Sequence, residues 1–125
     1  MKTARDTDFF RQFNGAFFQG DRQFIEESIT EDIVWTMIGS EPIKGKQAFL
    51  DVAFGVNDGY TDMEYTTELS LTNGREAALK GKMFRKGERT DEAPKIYAYC
   101  DFYVLDDEDE GKIKEMTTFV VELKE

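Results

Sequence analysis

Residues 31–54 read EDIVWTMIGSEPIKGKQAFLDVAF and predict a strand, a sharp turn and a helix in immediate succession. Ile33–Ile38 is an apolar run rich in β-branched residues, which predicts a strand covered on both faces. Gly39-Ser40-Glu41-Pro42 predicts the turn, because glycine tolerates positive φ and proline fixes its own φ. Lys46–Phe54 has its apolar residues at helical spacing and is followed by Gly55. We therefore expect a helix that lies back over the strand and closes one side of a pocket.

Two further helices are predicted before this segment. Between Asp6 and Gln19, the apolar residues of one helical stripe are Phe9, Phe10, Phe13, Ala16 and Phe17. Gly15 within this stretch costs about 1 kcal/mol relative to alanine, so either the helix is weak there or another group approaches it closely. Gly20 ends this helix, and Asp21 can cap a second one. The stripe of the second helix is Phe24, Ile25, Ser28 and Ile29.

From Asp62 onward the period changes to two, which predicts four strands. Their expected bounds are Met63–Leu71, Glu76–Arg85, Lys95–Leu105 and Lys112–Leu123, with loops at Val56–Thr61, Lys86–Pro94 and Asp106–Gly111. Asn73-Gly74 predicts a tight hairpin between the first two. On the second strand, Ala77, Leu79, Gly81 and Met83 share one face. The order of elements predicts an α+β fold, in which a curved, mostly antiparallel sheet carries three N-terminal helices on its concave face.

The composition limits the classes of function. The 125 residues are expected to form one domain, and 14% aromatic residues indicate a ring-rich core. A net charge of −10 argues against nucleic acid as a partner, because phosphate binding requires clustered lysine and arginine. The chain has neither a long apolar run nor a signal-like start, so we expect no membrane partner and a cytoplasmic location. A single cysteine, Cys100, fits a reducing compartment.

Few residues are available for chemistry. Because the chain has no histidine, an acid–base catalyst has to be Asp, Glu, Tyr, Lys or Cys. Asp101 and Glu122 are candidates on predicted strands, and whether Asp101 faces the pocket or a dimer interface is left open. The simpler interpretation is a pair of solvated or interfacial carboxylates, because charged groups are seldom buried without a partner. Zinc sites need sets of cysteine and histidine, so neither a metal nor a cofactor is expected.

The ordered set of elements resembles a known superfamily. Its matching features are Gly20-Asp21 after the first helix, the segment Ile33–Pro42 with Gly45, and Gly111-Lys112-Ile113 before the last strand. Together they resemble the nuclear transport factor 2-like superfamily and, within it, the SnoaL-like and ketosteroid isomerase-like branch. The resemblance covers nearly the whole chain, as a single SnoaL-like domain over residues 1–125. It implies a cone-shaped half-barrel, or cystatin-like roll, with an apolar pocket and frequent homodimers.

The resemblance also allows the isomerase residues to be checked. In this sequence the places of the catalytic tyrosine, the base and the second hydrogen-bond donor fall on Phe13, Thr36 and Cys100. Phe13 has no hydroxyl, Thr36 cannot take a proton near neutral pH, and Cys100 is a weak donor, so steroid-type isomerisation is not expected. If the alignment slips by one residue, Asp101 occupies the pocket in place of Cys100. That slip restores a donor but no base.

Strand parity and the resemblance together predict the pocket lining. The predicted ligand-binding residues are Phe13, Phe17, Thr36, Ile38, Phe54, Gly81, Met83, Cys100, Phe102, Met116, Thr118 and Val120. Such a pocket suits a small, hydrophobic molecule oriented by one or two hydrogen bonds. Thr36 can equally bond a neighbouring backbone group. The alternative to a ligand-binding pocket is that all of these residues pack together in a closed core.

The remaining face of the fourth strand predicts a partner. If Cys100 and Phe102 line the pocket, then Tyr97, Tyr99 and Tyr103 lie on the convex side of the sheet, where tyrosine favours an interface. We therefore predict a homodimer through this face.

Three functions remain open from the sequence. The first is a SnoaL-like protein that binds a small hydrophobic molecule without catalysis. The second is a carboxylate-dependent isomerase, cyclase or hydrolase that uses Asp101 or Glu122. The third is a protein-interaction module. The sequence alone identifies neither the ligand nor a reaction.

Overall fold

The computed structural model describes residues 7–55, 63–85, 96–106 and 111–123. The helices are α1 (Thr7–Gln19), α2 (Arg22–Ser28) and α3 (Lys46–Phe54), and the strands are β1 (Ile29–Met37), β2 (Ile43–Lys44), β3 (Met63–Asn73), β4 (Glu76–Arg85), β5 (Ile96–Leu105) and β6 (Ile113–Leu123). The predicted loops at Val56–Thr61 and Lys86–Pro94, and residues 107–110 of the predicted turn, lie outside the described residues. Across the described ranges, no helix is long and apolar enough to cross a membrane.

All six strands described form one curled, unclosed sheet in the order β2-β1-β6-β5-β4-β3. Only the β1–β6 pair is parallel among the described strands, so the sheet is mostly antiparallel. The predicted α+β fold, with helices packed on the sheet, is confirmed. The two-residue strand β2 was not predicted. It pairs Ile43 with Trp35, and the Gly45 N–H donates to the Ile33 carbonyl at 2.7 Å, which fixes the start of α3 beside β1.

Helix α1 supplies the aromatic layer that packs on the sheet. Phe10 and Phe13 are fully buried, and both rings contact Tyr103 of β5, with centroids 5.2 and 5.7 Å away. Gly15 is buried against β3. A Cβ at this position would lie 2.8 Å from the Tyr65 hydroxyl oxygen, so of the two alternatives for Gly15 the structure shows a close approach. The Tyr65 ring stacks on Phe18 at 4.2 Å.

The β3–β4 hairpin turns where the sequence predicts it. Asn73 pairs with Glu76, and Gly74 has a φ of 65°, which glycine adopts without strain. On β4, the inward face consists of Ala77, Leu79, Gly81 and Met83, as predicted from the alternation, and all four are buried.

The face of β5 that points inward is the opposite of the predicted one. Tyr99 and Tyr103 are buried in the core, and Asp101 is only 5% exposed. Cys100 is half-buried on the other face, and Phe102 is 46% exposed. The expected positions of Tyr97, Tyr99 and Tyr103 on the convex side are therefore wrong, since Tyr97 also packs against the core. Both faces of β5 are apolar enough for burial, and the larger rings take the interior, where Asp101 is satisfied by hydroxyl groups.

Strand β1 shows the same one-residue difference. Trp35 is buried, with its ring centroid 4.6 Å from that of Phe49 on α3. Thr36 is half-buried beside Thr117, and Ile38 is 56% exposed. Because successive strand residues point to opposite faces, burial of Trp35 turns Thr36 away from the interior. Trp35 removes more apolar surface from water than Thr36, which explains the choice of face.

Candidate functional site

A small hollow lies between α1 and the inward face of the sheet. Its volume is about 40 Å³, and it is lined by Asn14, Phe17, Phe18, Trp35, Met83, Tyr99, Asp101, Met116, Thr118 and Val120. This is room for a few water molecules, since each needs roughly 10–15 Å³ by this kind of measure. Nine of these residues are buried, and Val120 is 45% exposed. Within the described part of the chain, the hollow therefore opens beside Val120.

Asp101 is the ionisable acid of this hollow. It lies directly opposite Thr118 in the β5–β6 register. The Thr118 hydroxyl donates to Asp101 Oδ1 at 2.8 Å, and the Tyr103 hydroxyl donates to Oδ2 at 3.1 Å. No lysine or arginine in the described ranges forms an ion pair with it. The carboxylate is thus buried with two neutral donors and without a neighbouring cation.

The pKa of Asp101 reflects this environment. Burial removes water from the carboxylate and raises its pKa from 3.8 to about 6, and the hydrogen bonds from Thr118 and Tyr103 oppose part of that rise. Both protonation states are therefore accessible close to neutral pH, which is the condition that general acid–base catalysis favours. Burial raises the pKa of the Tyr103 hydroxyl, and the nearby charge of Asp101 raises it further. Tyr103 therefore stays protonated and acts as a hydrogen-bond donor.

Trp35 fixes the direction of the Thr118 hydroxyl. The Trp35 indole Nε1–H donates to Thr118 Oγ1 at 2.9 Å. Because Thr118 accepts this bond, its own proton is free to point at Asp101, and a chain of hydrogen bonds runs from Trp35 through Thr118 to the carboxylate. The parallel pairing of β1 with β6 brings these side chains together.

A second polar group of residues lies on the α1 side of the hollow. Asn14 Nδ2 donates to the Tyr99 hydroxyl oxygen at 2.9 Å and to Thr67 Oγ1 at 3.3 Å. Tyr99 in turn donates to the Thr66 carbonyl at 2.9 Å. Burial raises the pKa of Tyr99 to about 12, so this hydroxyl stays neutral. Gly81 permits the arrangement, because a Cβ there would lie 1.8 Å from the Thr66 carbonyl oxygen.

The structure brings together part of the predicted lining. Phe17, Met83, Met116, Thr118 and Val120 line the hollow. Phe13 and Gly81 are buried and Phe54 is half-buried, and all three belong to the packing around the hollow. Thr36, Ile38, Cys100 and Phe102 do not line it, because β1 and β5 present their other faces to the interior. Glu122 is exposed near the end of β6 and does not line it either. As ligand contacts, the five lining residues remain predictions.

Four lining residues were missed from the sequence: Asn14, Phe18, Trp35 and Tyr99. The helical period places Asn14 beside Phe10, Phe17 and Phe18, so a polar residue inside an aromatic stripe was the available signal. Trp35 is the single tryptophan of the sequence and lies in a predicted strand of smaller residues, which was a signal that its side chain takes the interior. In the described ranges, no group of three or more Asp, Glu or Cys side chains is placed to hold a metal ion.

The fold places the chain in a class of α+β proteins with helices packed on a curled, mostly antiparallel sheet. A family model for the SnoaL-like domain matches residues 10–116, and the chain belongs to this family. No curated protein matches the sequence. The family is part of the nuclear transport factor 2-like superfamily, whose solved structures also resemble this one.

Solved structures show how widely this fold is used. A nuclear transport factor 2-like protein of unknown function from Cytophaga hutchinsonii has a TM-score of 0.73 and 19% identity, with 92% of this chain and 98% of that chain covered. An LEH-like epoxide hydrolase from M. tuberculosis has a TM-score of 0.70 and 14% identity, covering 92% and 81%. A ketosteroid isomerase-like protein from Erwinia carotovora atroseptica has a TM-score of 0.60 and 16% identity, covering 91% and 92%. At these identities the similarity shows the fold alone.

Proposed function

We propose that this protein binds a small, largely apolar molecule in the hollow and that Asp101 exchanges a proton with that molecule or with a water beside it. The observation that carries the proposal is the buried Asp101 carboxylate, which lines the hollow, forms no ion pair within the described residues and has its pKa raised to about 6. A carboxylate poised near neutral pH serves as a base when ionised and as an acid when protonated.

A purely structural role explains Asp101 less well. Asparagine at position 101 would accept the Thr118 hydrogen bond and could donate to Tyr103, without the desolvation of a charge. An aspartate in this place therefore costs stability at neutral pH. Local violations of the rules of stability are expected at functional sites. The names of two structural neighbours, an epoxide hydrolase and a ketosteroid isomerase-like protein, add support at the level of reaction class.

Two small probes test the proposed proton transfer. Hydration of 1,2-epoxybutane and isomerisation of 4-penten-2-one to its conjugated ketone each need an acid or a base, and both substrates are small. If either is turned over, Asp101→Asn should lower kcat/KM by about 100-fold or more, the usual contribution of general acid–base catalysis. Glu115→Gln is the matched control, because it removes an exposed carboxylate of β6 on the opposite face. Equal turnover by Asp101→Asn and the unchanged protein would contradict the proposal.

Binding without reaction is the second candidate, and a specific observation favours it. The donors that line the hollow are engaged within the protein, from Asn14 to Tyr99 and Thr67, from Trp35 to Thr118, and from Tyr99 to Thr66. A neutral ligand that develops negative charge would find no free side-chain donor among them. Saturable binding of both probes without turnover of either would support this candidate.

We also propose that the outward face of the sheet pairs with a second copy of the chain. Its exposed apolar residues include Phe102, Phe119 and Val121, and the Phe102 and Phe119 rings are 6.0 Å apart. On β4, Glu76 and Lys80 point outward on either side of Ala78, which is opposite Phe102. A two-fold axis across the strands would place Lys80 of each copy near Glu76 of the other, as an isologous interface requires. This pairing replaces the predicted tyrosine face.

A further inference from the structure

The hollow has hydrogen-bond acceptors to spare and no spare donors among its lining side chains. Both N–H groups of Asn14, the indole N–H of Trp35 and the hydroxyl protons of Tyr99 and Thr118 are all engaged. An ionised carboxylate has about four acceptor sites, and at Asp101 Thr118 and Tyr103 occupy two. While Asp101 is ionised, a ligand carbonyl or carboxylate would therefore meet no side-chain donor, whereas a ligand that donates hydrogen bonds would find an acceptor.

The rings around Asp101 favour one kind of donor. Phe17, Phe18, Trp35 and Tyr99 line the same hollow. The faces of aromatic rings attract cations, most strongly where water is excluded. The buried carboxylate also lacks a cation in the described ranges, and an opposite charge would relieve much of the cost of its burial. A neutral alcohol would gain only the hydrogen bond, so the combination of rings and carboxylate discriminates in favour of positive charge.

We infer that the ligand of this hollow is a small organic cation, a protonated amine on a short apolar body, with its ammonium group held by Asp101 and the adjacent ring faces. This inference rests on the proposed function, because it concerns the same hollow and the same carboxylate.

Size and charge agree with this class of ligand. The volume of about 40 Å³ is room for roughly three or four water-sized groups, which suits an ammonium group with a short carbon chain and excludes a ring system. The net charge of −10 raises the concentration of cations near the surface and lowers that of anions.

The experiment is a titration of three molecules of similar size: n-butylammonium chloride, 1-butanol and sodium butyrate. Each is added at constant ionic strength while the indole N–H signal of Trp35, the single tryptophan, is followed by NMR. We expect n-butylammonium to bind at least about 10-fold more tightly than 1-butanol, and butyrate to leave the signal unchanged. In Asp101→Asn, the affinity for n-butylammonium should fall to that for 1-butanol.

Matched variants keep the test decisive. Glu115→Gln removes one negative charge from the outward face of β6 and should leave both affinities unchanged. Val120→Phe keeps the carboxylate, narrows the opening and adds no second indole, and it should weaken both ligands even if Asp101→Asn does not fold. The inference is overturned if Glu115→Gln weakens the amine as much as Asp101→Asn does.

The titration also separates this inference from the proposed function. If 1-butanol shifts the Trp35 signal and n-butylammonium binds no more tightly, the inference is wrong and the proposed function stands. If no ligand shifts the signal at any concentration reached, both are wrong.

Discussion

An ionised carboxylate at position 101 loses the hydration that it has in the unfolded chain, and hydrogen bonds from two neutral hydroxyls replace it. The folded protein therefore binds the proton of Asp101 more tightly than the unfolded chain does, with a pKa of about 6 against 3.8. The associated stability is fully present below about pH 4 and is lost as the pH rises through 6. Asp101 thus opposes folding at neutral pH.

Replacing Asp101 with asparagine should remove this pH dependence. The quantity to compare is the free energy of unfolding of Asp101→Asn minus that of the wild-type protein. This difference should increase by up to about 3 kcal/mol between about pH 4 and pH 7.5, because one pKa unit corresponds to about 1.4 kcal/mol. Urea unfolding at a series of pH values measures it. The same comparison for Glu115→Gln should vary by less than about 0.5 kcal/mol. A constant difference for Asp101→Asn would show that its carboxylate is not desolvated.

Thr118 should control the protonation of its neighbour. Thr118→Val removes a hydrogen bond that lowers the pKa of Asp101, so this pKa should rise further. It also leaves the buried Trp35 N–H without its acceptor, which should cost about 1–3 kcal/mol of stability. Thr118→Ser keeps the hydroxyl and is the matched control. Titration of the Asp101 carboxyl carbon by NMR measures this pKa. An unchanged pKa in Thr118→Val would show that the Thr118 hydrogen bond does not lower it.

At the scale of elements, the contact between α1 and β3 depends on the absence of a side chain at Gly15. A Cβ would lie 2.8 Å from the Tyr65 hydroxyl oxygen but 3.8 Å from its Cζ. Gly15→Ala should therefore destabilise the protein when Tyr65 is present. In a Tyr65→Phe background it should stabilise by about 1 kcal/mol, because alanine favours helix over glycine. Thermal unfolding of the four proteins in this cycle measures the coupling, and additive effects would contradict the close contact.

The sequence predicted the elements better than it predicted their faces. Lys46–Phe54 and Glu76–Arg85 have the bounds expected from their periodicity, and the inward face of β4 is as expected. On β5 the prediction failed, because both faces are apolar and the cost of burying Asp101 favoured the wrong one. The alternation of residues along β5 does not reveal that Thr118, on β6, donates a hydrogen bond to the Asp101 carboxylate. The one-residue slip, weighed as an alternative, matches the observed orientation of Asp101.

For the whole molecule, the outward sheet face leads to a prediction about assembly. The protein should sediment as a dimer at about 10 µM, because a large exposed apolar face favours association. Phe119→Asp should give a monomer with an unchanged far-UV circular dichroism spectrum, since Phe119 is exposed on this face. Gln12→Asp adds the same charge to an exposed position of α1 and should remain a dimer. If the wild-type protein is a monomer in analytical ultracentrifugation at this concentration, the dimer is ruled out.

The parallel pairing of β1 with β6 joins distant parts of the chain, and Trp35 and Thr118 are 83 residues apart. During synthesis, β1 leaves the ribosome long before β6, its parallel neighbour, exists. Closing such a long loop is entropically unfavourable until the intervening strands have formed. The polar chain that orients Asp101 is therefore completed only after residue 118 has emerged, so a shorter nascent chain has no working site.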